Sequence, residues 1–247
     1  YLHNCKHRKH PTTPNTAMKN NVAEDEWTLR EIILRQYPRC SNQALMALEQ
    51  AATAWTCRKK EVIVEQGQLC QEWIFVAKGL HRIMFMKNGK VDTLFFDGGG
   101  AIFTSFHSII AGKAGIFRLE ALSDSYGWKI EHRNWTRLQE RHPDLMRVEL
   151  HCLRHQFYSL EDYYLRRALS TPRERYDTFW SKRSKILEYL SPYVLSRHIP
   201  LKVIAQYLSM TPQMLSILRR REMEEYKIKS ADKLSDADGR QEGENAE

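Results

Sequence analysis

A length of 247 residues, with 42% hydrophobic and 28% charged residues, suits a globular protein of two modest domains. No run approaches the roughly 18 uninterrupted apolar residues of a membrane span, and Tyr1 to Asn21 lacks the apolar core of a secretory signal; a cytoplasmic protein with no membrane partner is expected. The net charge is +8, and five scattered cysteines (Cys5, Cys40, Cys57, Cys70, Cys152) without a C-x-x-C pair argue for free thiols and against a disulfide framework or a metal centre.

Residues 1–23, with His3, His7 and His10, read as a mobile arm. Two helical patterns follow. Glu24 to Gln36 carries Trp27, Ile32 and Ile33 ahead of Pro38; Ser41 to Ala54 opens on a capping serine and spaces Leu45, Leu48 and Ala52 as a helix does. Nine of the eleven glycines then lie between Gly67 and Gly127, and no proline occurs between Pro38 and Pro143. The runs Val62–Val64, Trp73–Val76, Ile83–Met86 and Val91–Phe96 alternate with turn residues, which predicts a sandwich or barrel from about Arg58 to Ile130. Lys87-Asn88-Gly89-Lys90 is a hairpin signal, since Asn-Gly tolerates the positive φ angles of a type I′ turn.

From His142 to Leu169 the apolar residues Met146, Leu150, Leu153, Phe157, Leu160 and Tyr164 recur at spacings of four and three. Such a heptad seam must bury itself, and the helix is too long for one β-domain to cover, so a homodimer is expected with Leu150, Leu153, Phe157, Leu160 and Tyr164 as its seam. Thr171-Pro172-Arg173-Glu174 opens another helix, with threonine as cap and proline at the first position; it is predicted to run to about Leu190. Pro200 precedes a short helix, Leu201 to Leu208, with Val203, Ile204 and Leu208 inward; Ser209-Met210-Thr211 turns, and a helix from Pro212 follows with Leu215 and Leu218 inward. Two short helices joined by a tight turn, the second ending in Arg219, Arg220 and Arg221, fit a helix-turn-helix. Arg166 to Arg221 holds twelve Lys or Arg against three acids, whereas Glu222 to Glu247 holds nine acids against four bases. A basic segment of that density points to a polyanion, because neutralised phosphates release counterions. The acidic end, residues 227–247, is expected to stay off it.

The order of these motifs resembles the Crp/Fnr family of bacterial regulators, in particular its Bacteroidetes-type branch, over about Glu24 to Met223. Glu61 to Gly67 and Trp73 to Arg82 are similar to the family's strand, Glu-Gly, strand, Lys-Gly-x-x-Arg opening of a cyclic-nucleotide-binding β-roll. Pro172 to Tyr176 resembles the start of its domain-linking helix, and Ile204 to Ser216 its helix-turn-helix core. The resemblance implies an α+β chain: a cyclic-nucleotide-binding-like jelly-roll domain over 24–141, a dimerisation helix over 142–170, and an all-α helix-turn-helix domain over 171–226. It also implies a DNA-binding transcription regulator with double-stranded DNA and RNA polymerase as partners, a small-molecule effector, no cofactor and no enzymatic activity.

The chain departs from the family at two places. Cyclic-nucleotide binders carry a Gly-Glu pair and, about ten residues on, an arginine for the phosphate. Here Gly98, Gly99 and Gly100 are followed by no glutamate, and Ile116 falls near the arginine's place. Gly98, Gly99, Gly100, Thr104, Ser105, Lys113 and Arg118 are therefore the candidate effector-pocket residues, and cyclic AMP is not expected to bind. In the second helix of the helix-turn-helix, Gln213 and Ile217 stand where the family often has Glu and Arg. Thr211, Gln213, Met214, Ser216, Ile217, Arg219, Arg220 and Arg221 are the candidate DNA contacts. Two other readings remain at this point: a working cyclic-nucleotide sensor with a divergent pocket, and a cupin-like metalloenzyme, for which His81 and His107 offer no convergent ligand set.

Overall fold

A computed structural model of the chain describes residues 26–180, 199–222 and 224. The N-terminal arm, the continuation of the post-Thr171 helix towards Leu190 and the acidic tail lie outside the described residues. Helices α1 (Leu29–Gln36) and α2 (Asn42–Ala51) lead into two four-stranded antiparallel sheets. The first has the order β1-β8-β3-β6, from Thr53–Cys57, Ser125–Glu131, Glu72–Lys78 and Ile102–Phe103; the second has the order β2-β7-β4-β5, from Val62–Val64, Arg118–Ala121, Leu80–Lys87 and Lys90–Gly98. A short α3 (Phe106–Ala111) interrupts the strands, and α4 (His132–Arg141), α5 (Asp144–Leu169), α6 (Pro172–Trp180), α7 (Leu201–Tyr207) and a helix α8 over 212–222 complete the chain.

Local chemistry sets several of these boundaries. Thr28 and Glu31 cap α1 reciprocally, and Thr171 and Glu174 do the same for α6: the threonine hydroxyl accepts from the glutamate N–H, and the glutamate carboxylate accepts from the threonine N–H at 2.7 Å. Asn88 and Gly89 sit at φ 52° and 73°, the two left-handed positions of a type I′ turn joining β4 to β5. The α2 boundary differs from the expected one. Its helix ends at Ala51, and Thr53–Cys57 pairs with β8 as an edge strand, so the β-region starts before Arg58. Helix α4 lies where the sequence reading placed no helix; among its ten residues Trp135 and Gln139 are buried.

Three apolar clusters hold the layers together. Between the sheets, Val64, Ile74, Ile83, Leu94 and Leu119 pack with Tyr163 of α5. A second cluster joins α1, α2, α4 and the start of α5 to β3. There Trp135 stacks on Trp73 at 4.9 Å between ring centroids and donates its indole N–H to Glu149 at 2.8 Å, an aromatic pair of about 1 kcal/mol beyond its buried area. The third cluster is continuous from the β-sheet into the last helices: Leu80, Phe96 and Leu122 pack with Tyr176, Phe179, Ile204, Tyr207 and Leu215.

Candidate functional site

The helix-turn-helix is built by its turn. Ser209 takes φ 53°, the Met210 N–H reaches back to Ala205 O at 3.0 Å, and Thr211 caps α8 by accepting from the Met214 N–H at 3.1 Å. Arg175 of α6 clamps the same turn, donating from Nε to Leu208 O at 2.7 Å and from a terminal nitrogen to Ser209 O at 3.2 Å. Leu215 and Leu218 face inward, while Thr211, Gln213, Met214, Ser216, Ile217 and Arg219 to Arg221 are all exposed. The Ser216 hydroxyl is engaged by Pro212 O at 2.9 Å. Among the described residues no hydrogen bond or ion pair holds the three arginines, and the first acid after them, Glu222, accepts from the Tyr176 hydroxyl. One face of α8 thus exposes amide, methyl and guanidinium groups to a groove and its phosphates, beside hydroxyls already engaged by the helix backbone.

Helix α5 has two apolar stripes offset by one residue. Leu145, Val148, Ser159 and Tyr163 are buried against the β-region, and Cys152 lies on the same side, where burial pushes its thiol up to about 12. The other stripe is open: Met146, Leu150, Leu153, Phe157 and Tyr164 are exposed, Phe157 and Tyr164 by 63% and 66%, and Leu160 is half-buried. At the C-terminal end, Arg167 pairs with Asp92 of β5 and takes a hydrogen bond with the Tyr163 hydroxyl, while Arg166 pairs with Asp162 and lies over the Tyr207 ring at 5.8 Å.

Between the buried stripe and the sheets lies a cavity of about 100 Å³. Its walls are aromatic: Trp73, Phe95, Phe96, Phe103, Phe106 and Phe117. The polar groups are Asp97 on β5, Thr104, Gln36, and His155, Gln156 and Ser159 from α5. Thr104 already donates to Glu72 O at 2.9 Å. Asp97 forms no hydrogen bond or ion pair among the described residues, and burial pushes its carboxyl up to about 7. It is half-buried by area. Its register partner His81 is 1% exposed with both ring nitrogens unbonded, and burial holds the ring down at about 4, hence neutral.

Of the seven candidate pocket residues only Thr104 lines this cavity. Gly98, Gly99 and Gly100 are buried, and Gly100, at φ 88°, is packed so that a Cβ would meet Arg35 and Trp27 at about 3 Å; its N–H donates to Val76 O. The glycine run is therefore a tight turn against α1. Ser105 caps α3, Lys113 is exposed, and Arg118 is paired with Glu65 at 3.2 Å. What the sequence reading missed is Asp97 with Phe95 beside it on the inward face, and the α5 residues opposite. The available signal was a carboxylate at an inward position of a strand.

Among the described residues no group of three or more His, Cys, Asp or Glu could hold a metal ion, and no helix is long and apolar enough to cross a membrane. No family model matches the sequence, and no curated protein matches it. Solved structures match the fold. FixK2 from Bradyrhizobium japonicum is 18% identical, with 70% of this chain and 85% of that one covered, at a TM-score of 0.60. The c-di-GMP-responsive global regulator CLP of Xanthomonas campestris is 12% identical over 75% and 93%, at 0.58. The chain shares their fold. A CooA mutant from Carboxydothermus hydrogenoformans, 16% identical over 75% of this chain and 87% of its own at a TM-score of 0.57, agrees. Within that fold the cavity lies between β-roll and long helix, the exposed stripe of α5 faces away from it, and α7 and α8 are the helix-turn-helix.

Proposed function

We propose that this chain is a DNA-binding transcription regulator that acts as a homodimer, with α8 entering the major groove, α5 forming the dimer seam, and the β-roll cavity receiving an effector other than cyclic AMP. The observation that carries the reading is the division of α8: its leucines are buried while every candidate contact, from Thr211 to Arg221, is exposed behind a capped, left-handed turn. Gln213 and Ser216 are assigned to base edges, Met214 and Ile217 to thymine methyls, and Thr211 with Arg219, Arg220 and Arg221 to phosphates. The similar structure of CLP is that of a global regulator of gene expression, which supports a non-enzymatic role; RNA polymerase is the partner such a role implies. Selection from a random-sequence duplex pool at near-physiological salt tests the reading. A symmetric site with half-sites about 34 Å apart is expected, and no enriched site refutes it.

The exclusion of cyclic AMP rests on the cavity's chemistry. No lysine or arginine lines it, one carboxylate does, and its volume is well below the roughly 300–1,000 Å³ of sites that take drug-sized ligands. A cyclic phosphate there would be an unpaired anion beside a carboxylate. Calorimetry with cyclic AMP should show no binding tighter than roughly 10 μM, about −7 kcal/mol. Phe95 and Asp97 face the cavity, while Phe96 between them turns to the other face of β5 and into the cluster holding α7, with Tyr207 at 5.2 Å between ring centroids. Strand β5 is thus shared by the cavity and the packing of the helix-turn-helix.

A further inference from the structure

The β-roll cavity combines three features that together select a class of ligand. It holds a single carboxylate, Asp97, which has no hydrogen-bond or ion-pair partner among the described residues. Its walls present the rings of Trp73, Phe95, Phe103, Phe106 and Phe117, whose faces are negative. It is small: at about 100 Å³ it falls below the 150 Å³ of an engineered cavity that holds benzene, so it takes a compact ammonium group and not a nucleotide.

We propose that this cavity binds a small organic cation, an amine or quaternary ammonium, with the positive nitrogen against the Asp97 carboxylate and its carbon shell against the aromatic walls. A cation supplies the counter-charge that a desolvated carboxylate lacks, and the ring faces attract the same charge. An anion meets no lysine or arginine in the lining, and a neutral molecule of the same shape gains the apolar contacts but leaves the carboxylate unpaired. The carboxyl held up at about 7 by burial is in keeping with a group waiting for a partner. Gln156 on α5 lines the opposite wall. The inference rests on the regulatory reading only for what binding does, not for binding itself.

Calorimetry and thermal shift on the full chain without DNA test it, with tetramethylammonium as the probe, tert-butanol as the neutral control of similar size and pivalate as the anionic one. Tetramethylammonium should bind at least tenfold more tightly than tert-butanol, and pivalate should give no signal. Asp97→Asn should lose that tenfold preference while keeping the alcohol, and Gln156→Phe, which fills the cavity from α5, should weaken both. The ranking in the unmodified protein decides even if a variant does not fold. Equal binding of alcohol and ammonium, tighter binding of pivalate, or no binding by tetramethylammonium overturns the proposal. A protein that binds the cation but enriches no DNA site removes the regulator reading alone; one that enriches a site but ignores the cation removes this inference alone.

Discussion

The two candidate sites of this chain are built in opposite ways. The DNA-facing surface comes from one helix, where every contact lies within eleven residues and its orientation is fixed by two buried leucines, Leu215 and Leu218. The cavity takes Gln36 from α1, Trp73 from β3, Asp97 from β5, Phe103 from β6 and His155 from α5, residues more than a hundred positions apart. A surface carried by one amphipathic helix survives sequence divergence as a pattern. A cavity assembled from many strands can change its chemistry by single inward substitutions while the fold around it persists.

The widest gap between the sites is opened by breaking the dimer. Leu153→Glu with Leu160→Glu places charge on the exposed stripe of α5 and leaves the cavity face intact, so light scattering should report a monomer at micromolar concentration. Loss of the second recognition helix should then cost a hundredfold or more in affinity for a symmetric site, about 3 kcal/mol, because binding of the second half-site is no longer intramolecular. Cation binding in the cavity should be unchanged.

A change confined to the cavity should be nearly as large but appear as pH dependence. Asp97 is held at about 7 in the folded chain against an ordinary value of 3.8, so the folded state binds the extra proton in that window. Its contribution is favourable below pH 4 and is lost as pH rises towards 7. Relative to the parent, Asp97→Asn should gain on the order of 3 kcal/mol between pH 4 and pH 8 in denaturant unfolding. His81, held down at about 4, runs the other way, its contribution lost as pH falls below about 6.5, and it cancels because both proteins share it. A gap that does not change with pH would place the Asp97 carboxyl in water.

Smaller effects test the DNA-facing surface. Arg219→Ala with Arg220→Ala should weaken binding to all duplexes alike, by about tenfold, and lower the slope of log K against log salt by about 1.8 if both meet phosphates. Retained affinity and slope would place the arginines off the backbone. Gln213→Ala should relax preference at one base pair by about 1–3 kcal/mol and leave the salt slope unchanged, which selection with the variant measures directly.

The sequence by itself determined the β-runs, the Asn88-Gly89 hairpin, the capped starts of α6 and α8, and the two-helix core around Ile204, Leu208, Leu215 and Leu218, because these are set by local backbone preference and periodicity that a few adjacent residues carry. It also showed the stripe from Met146 to Tyr164. Only the tertiary structure decided that α5 carries a second stripe against the β-roll, that Thr53–Cys57 leaves helix α2 to pair with β8, and that α4 is held by Trp135 on Trp73. It likewise decided that Arg118 is committed to Glu65, that the glycine run is packed on Trp27, and that Asp97 faces an aromatic cavity. The reason is physical: which charge is paired and which is left desolvated depends on side chains brought together from distant strands, and no local pattern records that.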